Sequence, residues 1–557
     1  MNDEVTIILN NKDVIKIKKN TSIKDVIKSN EGYFDKSIIG VKVNNDIVSY
    51  DYKITKDISL NTFNANDIDG YKMFQAGLKF VMIVALKELF GHDVDVIFDH
   101  SIARGIHATI INKDEFNEDD AIKLSNKMKE IINEDKQFVK LVVDVKEAYN
   151  YYEKVGYREK ALNIHNISNQ IINLYRLDNY FNYFFVDMPD STGVLNKFDL
   201  VFINNNEFAL MFPNPESNNN IPAYVHYSKV IDCFKKGKDW LNKIGIPYVT
   251  DINRTIEQGE VIDLIRTCET NLDNEIHDVA KEAIANNIKY LLIAGPSSSG
   301  KTTTAKKIAL NLKALGMEPI MISTDDYFLD REDTPKNADG SYDFEGLNSI
   351  DVKGLNKDLN DLVNGLEVEL PTYNFIAGHR EYSGIKSKLQ DNGIVVIEGL
   401  HTLNDELTSN LNKDLKYKVY LSPFIPVNID HHNYISTTDL RLIRRIIRDN
   451  NNRGYDVSKT IECWQTVRRG EEKNIFPYID QANKVVNTSL AYEVGVLKVY
   501  AAPLLYSVKD DSPYYSEARR LIYFLKHFFP ISSEYVSKDS IIREFIGGSN
   551  FRNEGDK

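Results

Sequence analysis

The stretch "GPSSSGKTTTAKK" occupies residues 295–307 and follows the apolar run "KYLLIA" (289–294). Gly295, Gly300, Lys301 and Thr302 satisfy the spacing G-x-x-x-x-G-K-[ST]. Glycines let backbone N–H groups turn toward an anion, and a helix N-terminus adds partial positive charge behind them. Ser297, Ser298, Ser299 and Thr303 complete the expected cradle. Lys301 is placed to reach β/γ-phosphates, and the Thr302 hydroxyl to hold Mg²⁺. The same letters can arise in an ordinary glycine-rich turn. Here the context is specific. A strand precedes them, and "TTTAKKIALNLKALG" follows with Ile308, Ala309, Leu312 and Leu315 on one helical face and Gly316 at its end.

Outward from this unit, strand and helix alternate over about 289–500. "YLLIAG", "PIMIST", "IVVIEG", "YKVYLS" and "KVVNT" read as strands with helical runs between them. That pattern predicts a doubly wound parallel sheet, hence an α/β domain. Asp325 and Asp326 follow the second strand, and Glu398 closes the third. Carboxylates at the C-terminal ends of parallel strands face the phosphate loop's crevice. There one can bind Mg²⁺ and another can accept a proton from an attacking hydroxyl. In "DLRLIRRIIRD", Arg441, Arg444, Arg445 and Arg448 stand at i, i+3, i+4 and i+7. The spacing predicts four guanidinium groups near one helical face, mutually repelling unless an anion meets them.

Taken in order, "GPSSSGKTT", "STDDYF", "YDFEGLNSID", "LPTYNF", "VVIEGLH" and "DLRLIRRIIRDNNNRG" resemble the uridine/cytidine kinase and phosphoribulokinase family, over Tyr290 to Lys498. The resemblance implies a kinase using ATP and Mg²⁺ to phosphorylate the 5′-hydroxyl of a pyrimidine nucleoside, a salvage reaction. It implies that Asp325 positions and deprotonates the hydroxyl, with Glu398 near the metal. Glu345 stands where the family has an aspartate on the ribose hydroxyls. Tyr373 and Phe375 match aromatics of the nucleoside pocket, and His379 or Arg380 a contact to the base. Arg445, Arg448 and Arg453 match the lid over the moving phosphoryl group. Tyr455 stands where many relatives have a second arginine, which leaves pyrimidine selectivity open.

The 557 residues suggest three or four domains. Hydrophobic content of 42% and charged content of 27% fit a globular protein. The net charge of −13 argues against a broad nucleic-acid surface. Three dispersed cysteines and no signal-peptide pattern point to the cytoplasm. Met73–Phe90 is apolar but carries Lys79, Lys87 and Glu88, so it reads as a buried helix. Residues 1–63 alternate as a small α+β module resembling the β-grasp TGS unit of threonyl-tRNA synthetases. Residues 64–225 resemble the editing region of those enzymes, matching from Asn66 to Tyr224, with Ala76 and Phe80 where that family has two histidines. Neither side chain can bind a metal. Residues 226–288 read as a helical connector and 501–557 as a helical extension. His431–His432 reads as a surface loop. Three alternatives stay open: a kinase of another small hydroxyl compound such as a sugar phosphate, an RNA-linked regulatory ATPase, or a scaffold without catalysis. A homo-oligomer is compatible with the sequence.

Overall fold

The computed structural model describes residues 4–551 apart from 36, 102–103, 169, 218, 337–339 and 341. Its centre is an all-parallel five-stranded sheet. In spatial order the strands are Glu318–Ser323, Gly393–Gly399, Tyr290–Ala294, Lys416–Ser422 and Lys484–Asn487. The three middle strands are buried at every residue. A parallel sheet covered on both faces requires this, and it is why these segments read as continuous apolar runs. Besides Glu398 at its strand end, Lys416 and Lys418 are the charged exceptions in composition. Their ammonium groups donate to the carbonyls of Thr408 at 2.6 Å and Leu403 at 2.8 Å.

Between the second and third strands in sequence the chain forms more than the expected helical run. Besides the helix Val352–Val363, the chain forms an antiparallel hairpin, Glu367–Asn374 with His379–Lys388. The reason is local. Val368 and Leu370 alternate with Glu367 and Glu369 in the first strand, and Gly378 turns the chain at φ +79° while its N–H closes on Asn374 O at 2.7 Å. The division at residue 500 also falls inside a helix, Glu493–Tyr506. Past it, Tyr515–Leu525 is helical, but most of the remainder is turns up to the short helix Arg543–Ile546. This last segment folds back onto the phosphate loop.

The front of the chain builds a mixed five-stranded sheet in the order Asp13–Lys18, Glu4–Leu9, Ile58–Phe63, Gly40–Val43, Asp46–Val48. Helix Ile23–Ser29 is capped by the Ser22 hydroxyl. Next, helix Ile68–Phe90 packs its long buried face against two antiparallel sheets. Among the described residues no helix is long and apolar enough to cross a membrane. Three connector helices, Ser228–Lys243, Val249–Glu257 and Val261–Ala285, join this half to the parallel sheet.

His431–His432 is not a surface loop. It joins two short strands, Asn428–Asp430 and Asn433–Tyr434, that dock on the front half, where Phe98 N–H donates to His431 O at 2.9 Å. His432 is 2% exposed. Its Nε2 lies 3.0 Å from Asp95 Oδ1, and its Nδ1 lies 2.9 Å from the Lys160 ammonium. Burial, then the Lys160 charge, push this imidazole down to about 4, so it is neutral.

Candidate active site

The phosphate loop runs from strand Tyr290–Ala294 to helix Lys301–Ala314, with Ser298 at φ +60° and Gly300 at φ +84°. A Cβ at Gly295 would lie 2.5 Å from the Leu421 carbonyl oxygen, and one at Gly300 2.6 Å from Ile541 Cγ2. The first neighbour is backbone of the adjacent strand and cannot yield. Gly295→Ala is therefore expected to force the loop outward, costing ~1–3 kcal/mol and weakening ATP binding about ten- to a hundredfold. Titration calorimetry checks this, and ATP affinity equal to the parent's would contradict it.

The loop already attracts carboxylates. Ser297 N–H donates to Glu471 Oε1 at 2.9 Å. The Thr303 hydroxyl donates to Glu544 Oε2 at 2.7 Å, and its N–H to the same oxygen at 3.4 Å. Oxyanions thus sit on donors of the kind that phosphate oxygens would take. The buried hydroxyls of Ser298, Ser299 and Thr304 have no hydrogen-bond partner. Lys301 Nζ rests 3.2 Å from Pro296 O. These donors fit a polyphosphate.

Beside the loop lies an acidic centre. Glu398 Oε1 accepts from the Thr302 hydroxyl at 3.3 Å and from the Ser323 hydroxyl at 3.2 Å. Burial, then the charge of Asp325, push Glu398 up to about 7. Burial, then Glu471, do the same to Glu345. Asp325 is exposed, yet desolvation by the protein around it raises its carboxyl, while Lys301 and Arg453 pull it back down. A carboxylate beside a hydroxyl, next to like charges, is a fit for a divalent cation.

This centre has a pH signature. A carboxyl raised in the folded state takes up its proton more readily there than in the unfolded chain. Its favourable contribution is present below the ordinary value of 4.5 and is lost as pH rises toward about 7. Glu398→Gln removes that loss. The variant should therefore gain in thermal midpoint over the parent between pH 5 and pH 8, in scans without ligand. A difference that stays constant with pH would contradict the assignment.

The lid helix, Thr437–Arg453, departs from the expected row of unmet charges. Arg441 and Arg444 are 1% and 0% exposed and brace the loop from behind. Arg441 Nε donates to Ser297 O at 2.8 Å while the same guanidinium pairs with Glu471. Arg444 donates to Ser298 O at 3.2 Å and to Glu493 Oε2 at 2.8 Å. Arg445 Nη1 reaches the Ser297 hydroxyl at 2.8 Å. Asp449, fully buried, gathers Arg445 at 3.0 Å, Arg448 at 2.9 Å and Arg453 at 3.7 Å. The anions that meet these arginines are internal. Asp449 was open to inference, being i+4 from Arg445. Glu471, Glu493 and Glu544 offered no local signal.

On the acceptor side, Tyr373 is 5% exposed and its hydroxyl has no hydrogen-bond partner. Its ring centroid lies 5.1 Å from Phe375 and 5.7 Å from Phe328. Asn474 Nδ2 donates to Glu345 O at 2.7 Å, tying that loop to the second lid helix, Val457–Asn474. Of the pair expected at the base, only Arg380 lies beside Tyr373. His379 opposes Asn374 in the hairpin register, so alternation turns it to the face opposite Tyr373. Arg380 shares the face of Tyr373, but its Nη1 is bound to Asp351 Oδ2 at 2.8 Å. His401 had been given no role. It is buried beside the Glu345 backbone, pushed down to about 4 by burial, with an unpartnered Nδ1.

A parallel sheet, a glycine loop whose donors hold carboxylates at a helix N-terminus, and strand-end carboxylates beside it are the parts of a P-loop phosphotransferase. Residues 291–493 match the model of the "Phosphoribulokinase / Uridine kinase family". A uridine kinase of Macrococcus caseolyticus is 30% identical over 177 residues, 32% of this chain and 76% of that protein. One from Deinococcus deserti is 28% identical over 170 residues, 30% of this chain and 72% of that protein. A solved structure described as a possible uridine kinase from Bacillus stearothermophilus aligns at 20% identity with a TM-score of 0.27, over 39% of this chain and 100% of that one. The chain belongs to the phosphoribulokinase/uridine kinase family through this segment. Membership makes it a kinase and implies ATP as the phosphate donor.

Proposed function

We propose that the chain transfers the γ-phosphate of ATP to the 5′-hydroxyl of a pyrimidine nucleoside, uridine or cytidine. The observation that carries the reading is Asp325, a solvent-open carboxylate within the electrostatic reach of Lys301 and Arg453. In this reading Asp325 takes the hydroxyl proton as the nucleoside oxygen bonds to the γ-phosphorus, and the β–γ bridging oxygen leaves with ADP. Lys301, Arg445, Arg448 and Arg453 neutralise charge on the transferring group. Thr302 and Glu398 would hold Mg²⁺, which when bound supplies further charge neutralisation on the phosphates. Glu345 would accept from the ribose hydroxyls, and Tyr373 and Phe375 would flank the base. Closure of the lid would exclude water, which otherwise competes as acceptor.

A radiolabelled-phosphate assay with uridine, cytidine and ribulose 5-phosphate tests the acceptor. At least one nucleoside should exceed the sugar phosphate about tenfold in kcat/KM, a discrimination of ~1.4 kcal/mol. The reverse order would replace this reading with a second one, a kinase of a small hydroxyl compound without a base. That alternative is favoured by Arg380 being committed to Asp351 and by Tyr455 in place of a second arginine.

For the front half we read residues 1–63 as a TGS-like β-grasp module and 64–225 as a synthetase-editing-like domain without editing chemistry. Ala76 and Phe80 are 1% and 0% exposed within a packed helix, and neither side chain offers a metal ligand or a proton to transfer. A regulatory link to tRNA would rest on this half alone. A salt-dependent shift of tRNA in a gel would support it.

A further inference from the structure

Behind the phosphate loop, between the front half and the kinase domain, lies a cavity of about 260 Å³. Its walls come from helix Ile68–Phe90 (Tyr71, Lys79), the N-terminal turn and first arginine of the lid helix (Thr437, Arg441) and the second lid helix (Trp464, Arg468). It is separate from the acceptor side, since Asp325, Glu345, Tyr373 and Phe375 do not line it.

Its lining is aromatic and basic, with six lysines and arginines against four aspartates and glutamates. Most of the cations are matched. Arg520 holds Asp439 through two bonds of 2.8 and 2.7 Å, Lys72 holds Glu517 at 2.7 Å and Arg104 holds Glu472 at 3.0 Å. Lys79 is not. It is 7% exposed, and among the described residues it forms no ion pair within 4.0 Å. Its ammonium donates to His432 O at 3.0 Å and otherwise meets the rings of Phe98, Phe184 and Tyr434 at 5.2–5.5 Å. One carbonyl satisfies one of three donors. Burial pushes Lys79 down to about 7, while the buried Asp430 carboxylate, beyond ion-pair distance, opposes that fall. The lid-helix N-terminus adds partial positive charge at the same cavity. Tyr71 and Trp464 add aromatic rings to the lining, with the Arg441 guanidinium 5.2 Å from the Trp464 ring centroid.

We infer that this cavity binds a ring-bearing organic anion, an aromatic or heteroaromatic phosphate monoester no larger than a nucleoside monophosphate, and that its occupancy is coupled to ATP binding through Arg441. The route is short. Arg441 lines the cavity, donates to Ser297 O and pairs with Glu471, whose carboxylate occupies the Ser297 N–H of the phosphate loop. An anion that draws on Arg441 alters the loop's hold on the nucleotide, and linkage makes the effect reciprocal. The inference does not depend on which acceptor is phosphorylated.

The test uses the full chain, with phenyl phosphate as probe and phenol and inorganic phosphate as controls, by titration calorimetry. Phenyl phosphate should bind at least tenfold more tightly than either control, and its presence should shift the Kd for ATP, measured without acceptor, at least twofold. Lys79→Met, nearly isosteric, should weaken probe binding at least tenfold while leaving the probe-free Kd for ATP unchanged. Tyr71→Leu should weaken it as well, which keeps the test decisive should one variant fail to fold. Probe binding no tighter than that of inorganic phosphate would overturn the inference. So would binding indifferent to both substitutions, or binding with an unaltered Kd for ATP.

Discussion

Asp325→Asn is expected to lower kcat about a hundred- to ten-thousandfold, the usual contribution of a positioned general base. Asparagine keeps the shape of the side chain and its place in the short turn after strand Glu318–Ser323, where the Ser323 hydroxyl accepts from the residue's N–H at 3.3 Å. It cannot take a proton. ATP binding should survive, because the loop donors, Lys301 and Thr302 are untouched and a negative charge near the phosphates is removed. The acid limb of the pH profile in kcat/KM should vanish with the carboxylate. Steady-state rates at saturating acceptor, beside ATP titrations, separate the two effects. Turnover within a few-fold of the parent would show that another group accepts the proton, and the assignment of Asp325 would be withdrawn.

The second large effect is on stability. Arg444→Met should destabilise the kinase domain by about 3–5 kcal/mol, the cost of breaking a buried ion pair from one side. Glu493, 0% exposed like Arg444, would lose its counter-ion, and the carbonyls of Ser298 and Thr488 would lose a donor. Burial already raises the Glu493 carboxyl, with the Arg444 charge opposing that rise. The double variant Arg444→Met, Glu493→Gln removes the orphaned charge but still accepts from Leu490 N–H, now 2.9 Å from Glu493 Oε1. It should recover at least half of the loss. Urea unfolding followed by kinase-domain fluorescence provides the readout. A double variant as unstable as the single one would place the cost in packing against Phe545, whose ring centroid lies 4.9 Å from the Arg444 guanidinium.

The two predictions differ in how they could be found. Asp325 was readable because a carboxylate just past an apolar strand, next to a glycine loop, is a local arrangement. Glu398 was readable for the same reason. The hairpin at residues 367–388 was readable only in part, since "EVEL" alternates with period two but the residues after Gly378 do not. The strand–helix alternation read over 289–500 assigned it no element of its own. The arginines of the lid helix were visible, but their partners were not. Glu471 lies 30 residues from Arg441 and Glu493 49 residues from Arg444, and Glu544 reaches Thr303 across 241 residues. Whether an arginine faces solvent, phosphate or a buried carboxylate depends on what the rest of the chain brings to it. Arg380 is the converse case. Its type suited a base contact, yet the helix cap at Asp351 claims it.

Sequence alone determined the phosphate loop, the order of strand-end acids and the parallel character of the sheet. Each depends on interactions within a few residues or on the plain burial of apolar runs. Tertiary structure decided which charges are spent on holding the loop and which remain for chemistry, and it created the cavity around Lys79. Charge pairing in a low-dielectric interior is settled by distance in space, and chain separation carries no record of that distance.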